Sequence, residues 1–210
     1  NTKEGYALKV RVKFAKEGVM KFIGHLDIMR YFQKAVKRAN LDVAFSEGFS
    51  PHMIMSFASP LGVGITSTGE YFDMELKSAT TSSDMVKRLN DAMAEGMKIL
   101  SIRQVEDGKA SKAMSLVAAA DYRLKFRETA KLPENWKEKL EEFKAQKEIV
   151  ILKKTKKSEK ELDIRPFIYK LSLEEKDEIF MQLAAGSSNN TKPELVMEAF
   201  AAFMEIPYEN

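Results

Sequence analysis

Leu8-Lys9-Val10-Arg11-Val12-Lys13-Phe14 alternates without a break, with Leu8, Val10, Val12 and Phe14 on one side and Lys9, Arg11 and Lys13 on the other. A period of two marks a strand with one buried face, so residues 7–15 predict a strand laid against a core. Gly18 and Gly24 punctuate a short connection. Residues 26–39 then place Ile28, Met29, Phe32, Ala35, Val36 and Ala39 on one helical stripe, with Arg30, Lys34, Lys37 and Arg38 opposite. Extended segments at 41–46 and 53–58 flank Ser46-Glu47-Gly48-Phe49-Ser50-Pro51-His52, and a Gly-rich turn runs from Pro60 to Gly69. Alternation returns over 70–77, where Phe72, Met74 and Leu76 face inward. Thr80 to Ser83 offer N-caps for a helix over about 83–95 that ends at Gly96, and Met97 to Val105 reads as a closing strand. The order β-α-β-β-α-β is that of the ferredoxin-like split βαβ.

The pattern begins again at Ala120. Tyr122, Leu124 and Phe126 alternate with Arg123, Lys125 and Arg127, and Pro133 opens a helix with the stripe Trp136, Leu140 and Phe143. Extended segments follow at 148–154, 162–171 and 178–184. Thr191-Lys192-Pro193-Glu194 reads as a capping box that starts a last helix. The expected architecture is α+β, two tandem ferredoxin-like halves, 1–106 and 120–210, joined by a linker at 107–119. The second half lacks its last strand, and truncation at Tyr208-Glu209-Asn210, where that strand should start, is the expected reason. One continuous α+β domain around a single large sheet fits the same order of elements.

A chain of 210 residues can bury roughly 70% of its unfolded surface, and with no cysteine it needs no disulfide and builds no thiolate metal site. No apolar run approaches a membrane span and no leader stands at the start, so a cytoplasmic protein is expected. The formal charge of +3 is uneven. Residues 1–41 carry ten Lys and Arg against three Asp and Glu, a net of +7, which leaves −4 for the rest. A basic first segment points to an anionic partner such as nucleic acid or to a solvated surface.

Phosphate loops, dinucleotide fingerprints and zinc-protease motifs are absent, and no cofactor is expected. The two histidines of the chain, His25 and His52, each lie beside glycine or proline. They can act as an acid–base pair, form part of a metal site or hydrogen-bond their own loops, with Asp27, Glu47 and Ser50 near enough in sequence to assist. Lys21, Arg30, Lys34 and Arg38 are candidates for phosphate contacts. For Lys9, Arg11 and Lys13, cross-strand pairing with Asp73 and Glu75 is the structural alternative to an open, RNA-binding sheet face. Lys153 to Lys160 reads as a hairpin tip. Arg165, held beside Pro166, is aimed either at a carboxylate or phosphate ligand or at a neighbouring acid.

Lys21-Phe-Ile-Gly-His-Leu-Asp-Ile-Met-Arg30, Gly48-Phe-Ser-Pro-His52, Ser56-Phe-Ala-Ser-Pro-Leu-Gly62, Gly69-Glu-Tyr-Phe-Asp73 and Asp163-Ile-Arg-Pro-Phe167 resemble the bacterial radical-SAM-linked proteins. The resemblance covers nearly the whole chain and implies a radical S-adenosylmethionine protein as partner. Without a Cys-x-x-x-Cys-x-x-Cys run this chain holds no such cluster itself, so any radical step falls to that partner. The tandem halves, with a histidine after the first strand, are also similar to CRISPR-RNA-processing endoribonucleases at the level of fold. Three functions are therefore expected in competition. One is a non-catalytic adaptor or substrate-binding module that takes RNA or another anion. The second is a metal-independent endoribonuclease using His25 and His52, and the third is a protein-interaction module. Lys21, His25, Arg30, Lys34, Arg38, Glu47, Ser50, His52 and Arg165 are the candidate contacts.

Overall fold

The computed structural model describes residues 7–106, 112–154, 158–186 and 189–208. It is a mixed α/β protein with antiparallel sheets and five α-helices among those residues, divided into two compact units, Asn1–Leu116 and Val117–Asn210. No described helix is long and apolar enough to cross a membrane.

The first unit runs β1 (Leu8–Lys16), α1 (His25–Arg38), β2 (Met55–Phe57), β3 (Ser67–Leu76), α2 (Ser82–Asp91), β4 (Met97–Gln104) and α3 (Ala113–Leu116). Its sheet has the order β2-β3-β1-β4, every neighbour antiparallel. Val10 opposes Met74 and Val12 opposes Phe72, so the inward positions of the two alternating stretches meet on one face. That face is covered by Ile28, Phe32, Ala35 and Val36 of α1 and by Met85 and Leu89 of α2. The helices cap each other: Arg38 of α1 donates to Ala92 O at 3.1 Å, and Arg88 of α2 donates to Ala39 O at 3.0 Å and to Asn40 O. Cationic side chains thus meet the carbonyl-rich ends of both helices.

Several sequence expectations change. Segment 41–46 forms no continuous strand: Val43 bridges to Leu76 of β3 and Phe45 to Met53, while β2 shrinks to three residues. Ser46 to Pro51 makes a loop closed by Ser46 N donating to His52 O at 2.8 Å, and Ala44 N still donates to Glu75 O of β3 at 2.8 Å. α2 ends at Asp91, and Thr81 Oγ1 is its cap, accepting from Asp84 N at 3.2 Å. Of the expected linker, 107–111 lies outside the described residues, whereas 113–116 is helical and Ala113 N donates to Asp73 Oδ2 at 3.0 Å.

The second unit contains β5 (Ala119–Leu124), α4 (Trp136–Lys144), β6 (Val150–Lys154), β7 (Glu159–Asp163), β8 (Ile168–Leu173), β9 (Ile179–Ala184) and α5 (Pro193–Phe203). β5-β9-β8 form one antiparallel sheet, and β6 and β7 form a separate hairpin. Phe143 of α4 packs against Phe200 and Phe203 of α5, with ring centroids 5.2 Å and 5.7 Å apart. The expected single strand over 162–171 is broken at Arg165–Phe167. Asp163 Oδ1 accepts from Ile149 N at 2.8 Å and from Arg165 N at 2.9 Å, and Pro166 has no N–H for a ladder. The capping box at the last helix does not form. The cap position is Lys192, and Thr191 is buried with its N–H on Ala184 O at 2.9 Å.

On the outer face of the first sheet, Arg11 grips Asp73 through Nε at 2.8 Å and Nη2 at 3.0 Å, the pairing read from the sequence. Asp73 is 3% exposed and accepts three hydrogen bonds, two from Arg11 and one from Ala113 N. Asp73→Ala removes the acceptor of Arg11 and of the Ala113 N–H inside the protein, so it should destabilise the protein by about 3 kcal/mol in urea unfolding. A loss below about 1 kcal/mol would show that water replaces the pair.

Candidate functional site

β1 continues its alternation one step past Phe14, and the next inward position is Lys16. A ladder irregularity between Phe14 and Lys16 leaves the side chain at the end of the sheet, where its residue is only 2% exposed. Lys16 Nζ donates to Ile23 O at 2.9 Å, and its other two protons meet no acceptor among the described residues. Glu70 lies on the same face, opposite Phe14 in the register, and accepts from Ser67 Oγ at 2.8 Å. Lys16, Glu70, His25 and Ser59 line a void of about 10 Å3, walled by Phe14, Ile28, Phe57 and Leu61. That is room for one water or one ligand oxygen.

The turn after β1 holds this arrangement in place. Glu17 N donates to Gly96 O at 2.7 Å, and a Cβ on Gly96, whose φ is +92°, would stand 2.7 Å from both Glu17 O and Met20 Cγ. Only glycine permits that approach. α1 then begins with Gly24 as an extended N-cap without a side chain, and the first intrahelical bond is Ile28 N to Gly24 O at 3.0 Å. The N–H groups of His25, Leu26 and Asp27 precede that bond and make the positive end of the helix dipole.

Burial pushes the Lys16 ammonium below the ordinary lysine range, and the charge of Glu70 opposes this only in part. Burial also raises the Glu70 carboxyl, against the hydrogen bond from Ser67 and the charge of Lys16. Both groups are therefore drawn toward their neutral forms. Lys16 is one residue from the helix cap through Ile23 O, so its positive charge adds to that of the helix end. An anionic oxygen in the void would answer both.

The sequence candidates scatter. His25 joins this site, half-buried and edge-on to Phe57 at 5.5 Å. Lys21 Nζ lies 5.1 Å over the Phe22 ring, and Lys21 O accepts from Gly64 N at 2.7 Å. Arg30 reaches Asp27 at 3.5 Å on the exposed side of α1, where Lys34 is also exposed, and Arg38 is spent on Ala92 O. Glu47, Ser50 and His52 share one exposed loop, in which His52 Nδ1 and Ser46 Oγ are 2.8 Å apart. Arg165 belongs to the second unit and donates to Gln146 O and Ile168 O, both at 3.1 Å. Lys16 and Glu70 were not among the candidates, although both extend the inward alternation of their strands.

These features define a mixed α/β protein of antiparallel sheets that buries a lysine and a glutamate at the entry to its first helix. The chain belongs to a bacterial family described as "uncharacterized protein conserved in bacteria" (DUF2344), whose family model matches residues 9–193. The match takes in Lys16, His25, Glu70 and Arg165. No curated protein matches the chain.

A carboxyl raised by burial keeps its proton to higher pH in the folded chain than in the unfolded one. Its contribution to stability is complete below the ordinary value of 4.5 and is lost as pH rises through the folded value. Glu70→Gln cannot ionise. The unfolding free energy of the natural protein should therefore fall relative to that of Glu70→Gln as pH rises from about 4.5. A difference between the two proteins that stays constant with pH in urea titrations would show that Glu70 ionises as freely folded as unfolded.

Proposed function

We propose that this protein is a non-catalytic adaptor or substrate-binding module that presents an anionic substrate, RNA foremost, to a separate radical S-adenosylmethionine enzyme in the cytoplasm. The observation that carries the reading is the buried ammonium of Lys16 beside the uncapped start of α1. Two positive features meet there, and one inward carboxyl that resists ionisation offsets them only in part. Lys34 and Lys37, exposed further along α1, extend the positive surface. Val19, Phe22 and Leu26, with Val63 on the loop tied to Lys21, are exposed apolar side chains of the kind partner proteins cover. The named partner rests on the sequence resemblance.

The finer architectural reading belongs with this proposal. The antiparallel order β2-β3-β1-β4 supports a ferredoxin-like first half. The order β8-β9-β5 supports a second half of the same plan, with no closing strand among the described residues and the β6–β7 hairpin inserted after its first helix.

The test is a pull-down of the tagged chain from its own cells, with co-purified proteins and RNA identified together, for the natural protein and for Lys16→Met. A radical S-adenosylmethionine enzyme and RNA should be recovered, with RNA reduced about tenfold in the variant and the folded circular dichroism spectrum kept. Binding to a labelled single-stranded RNA should also weaken steeply as salt rises. A flat salt response, or RNA recovery unchanged by Lys16→Met, would overturn the anionic-substrate part; absence of the enzyme would overturn the partner.

A further inference from the structure

The second unit holds a larger cavity, of about 310 Å3, between the end of α4 and the strand β8. That volume is at the lower end of sites that hold small organic ligands. Lys144, Arg165 and Lys170 are among the residues that line it, as are Tyr169 and Ser172, and no acidic residue lines it among the described residues. Ile149, Ile168 and Leu171 make the apolar wall.

Arg165 is already positioned. Asp163 holds its backbone N–H, and its Nε and Nη1 are anchored on the carbonyls of Gln146 and Ile168. Its Nη2 has no acceptor among the described residues. A guanidinium fixed at two points loses little freedom when a ligand takes the third. Lys170 is exposed and has no partner among the described residues. Among the described residues Lys144 pairs with Glu141 alone, at 3.3 Å, an exposed pair three residues apart on one helix, which a stronger anion displaces at small cost.

We infer that this cavity binds a phosphate monoester of a small molecule with an aromatic or apolar body. Three cations without a lining carboxylate call for more than one negative charge, and a phosphate monoester carries close to two at neutral pH. Tyr169 and the apolar wall accept the body of the ligand. This site is independent of the one around Lys16, because every lining residue lies in the second unit.

Isothermal titration of the full chain tests it, with adenosine 5′-monophosphate, inorganic phosphate and adenosine as probes. The monophosphate should bind with phosphate as a weaker competitor, and adenosine alone should be bound far less well. Affinity should rise between pH 5 and pH 7, since the monoester loses its second proton near pH 6, roughly. Lys144→Gln with Lys170→Gln, both surface changes, should weaken binding about tenfold or more, while Lys153→Gln, outside the cavity, leaves it unchanged. Absence of monophosphate binding, or binding indifferent to the paired substitution, would overturn the inference. So would binding of single-stranded RNA that is lost in the same variant while the monophosphate fails to bind, since a phosphodiester has no such proton to lose.

Discussion

A lysine on the core side of a sheet must be answered by nearby dipoles or charges, or give up its proton, and Lys16 imposes that condition on the first unit. One carbonyl, Ile23 O, answers it directly, and Glu70 answers it at longer range. The turn pressed against Gly96, the bare Gly24 cap and the Ser67 hydroxyl on Glu70 all surround this one charge. The opposite face of the same strand shows what a completed solution looks like. Arg11 and Asp73 meet there at bonding distance, and Ala113 N takes the remaining reach of the carboxylate. One strand thus carries a satisfied ion pair on its outer face and an incompletely satisfied ammonium on its inner face. The first explains stability; only the second leaves hydrogen-bonding capacity for a ligand.

Much of this was legible in the residues. The alternations of β1 and β3 defined two strands, and the stripes of α1 and α2 defined the helices that cover them, because burial of one face imposes a period that survives any detail of packing. The same rule reaches the site. One step beyond Phe14 lands on Lys16, and one step before Phe72 lands on Glu70, so the inward charges are written in phase with the core. Both lie outside the histidine motifs and the basic stripe of α1. Arg38 belongs to that stripe by spacing, yet it serves the carbonyl end of α2, a contact between elements that no local pattern announces.

Segments 41–46 and 162–171 have the composition of strands but form no continuous ladder. The first pairs piecewise, Ala44 N on Glu75 O and Ser46 N on His52 O, whereas in the second Asp163 captures the amides of Ile149 and Arg165. Competition of this kind between side-chain acceptors and strand partners depends on which neighbour arrives, and periodicity does not record it.

The two cationic sites differ in what they can hold, and the difference follows from enclosure. Around Lys16 the walls are aromatic and aliphatic, the free space admits a single oxygen, and both ionisable neighbours are pushed toward neutrality. An anion entering such a site would have to offset its desolvation with charge, and the space would suit the tip of a larger substrate better than a free ion. Around Arg165 the cations remain partly hydrated and the space is some thirty times larger. Each contact there is individually weaker, so affinity must come from several at once and from the fixed guanidinium. Pre-organisation does that work in the second unit, as burial does it in the first.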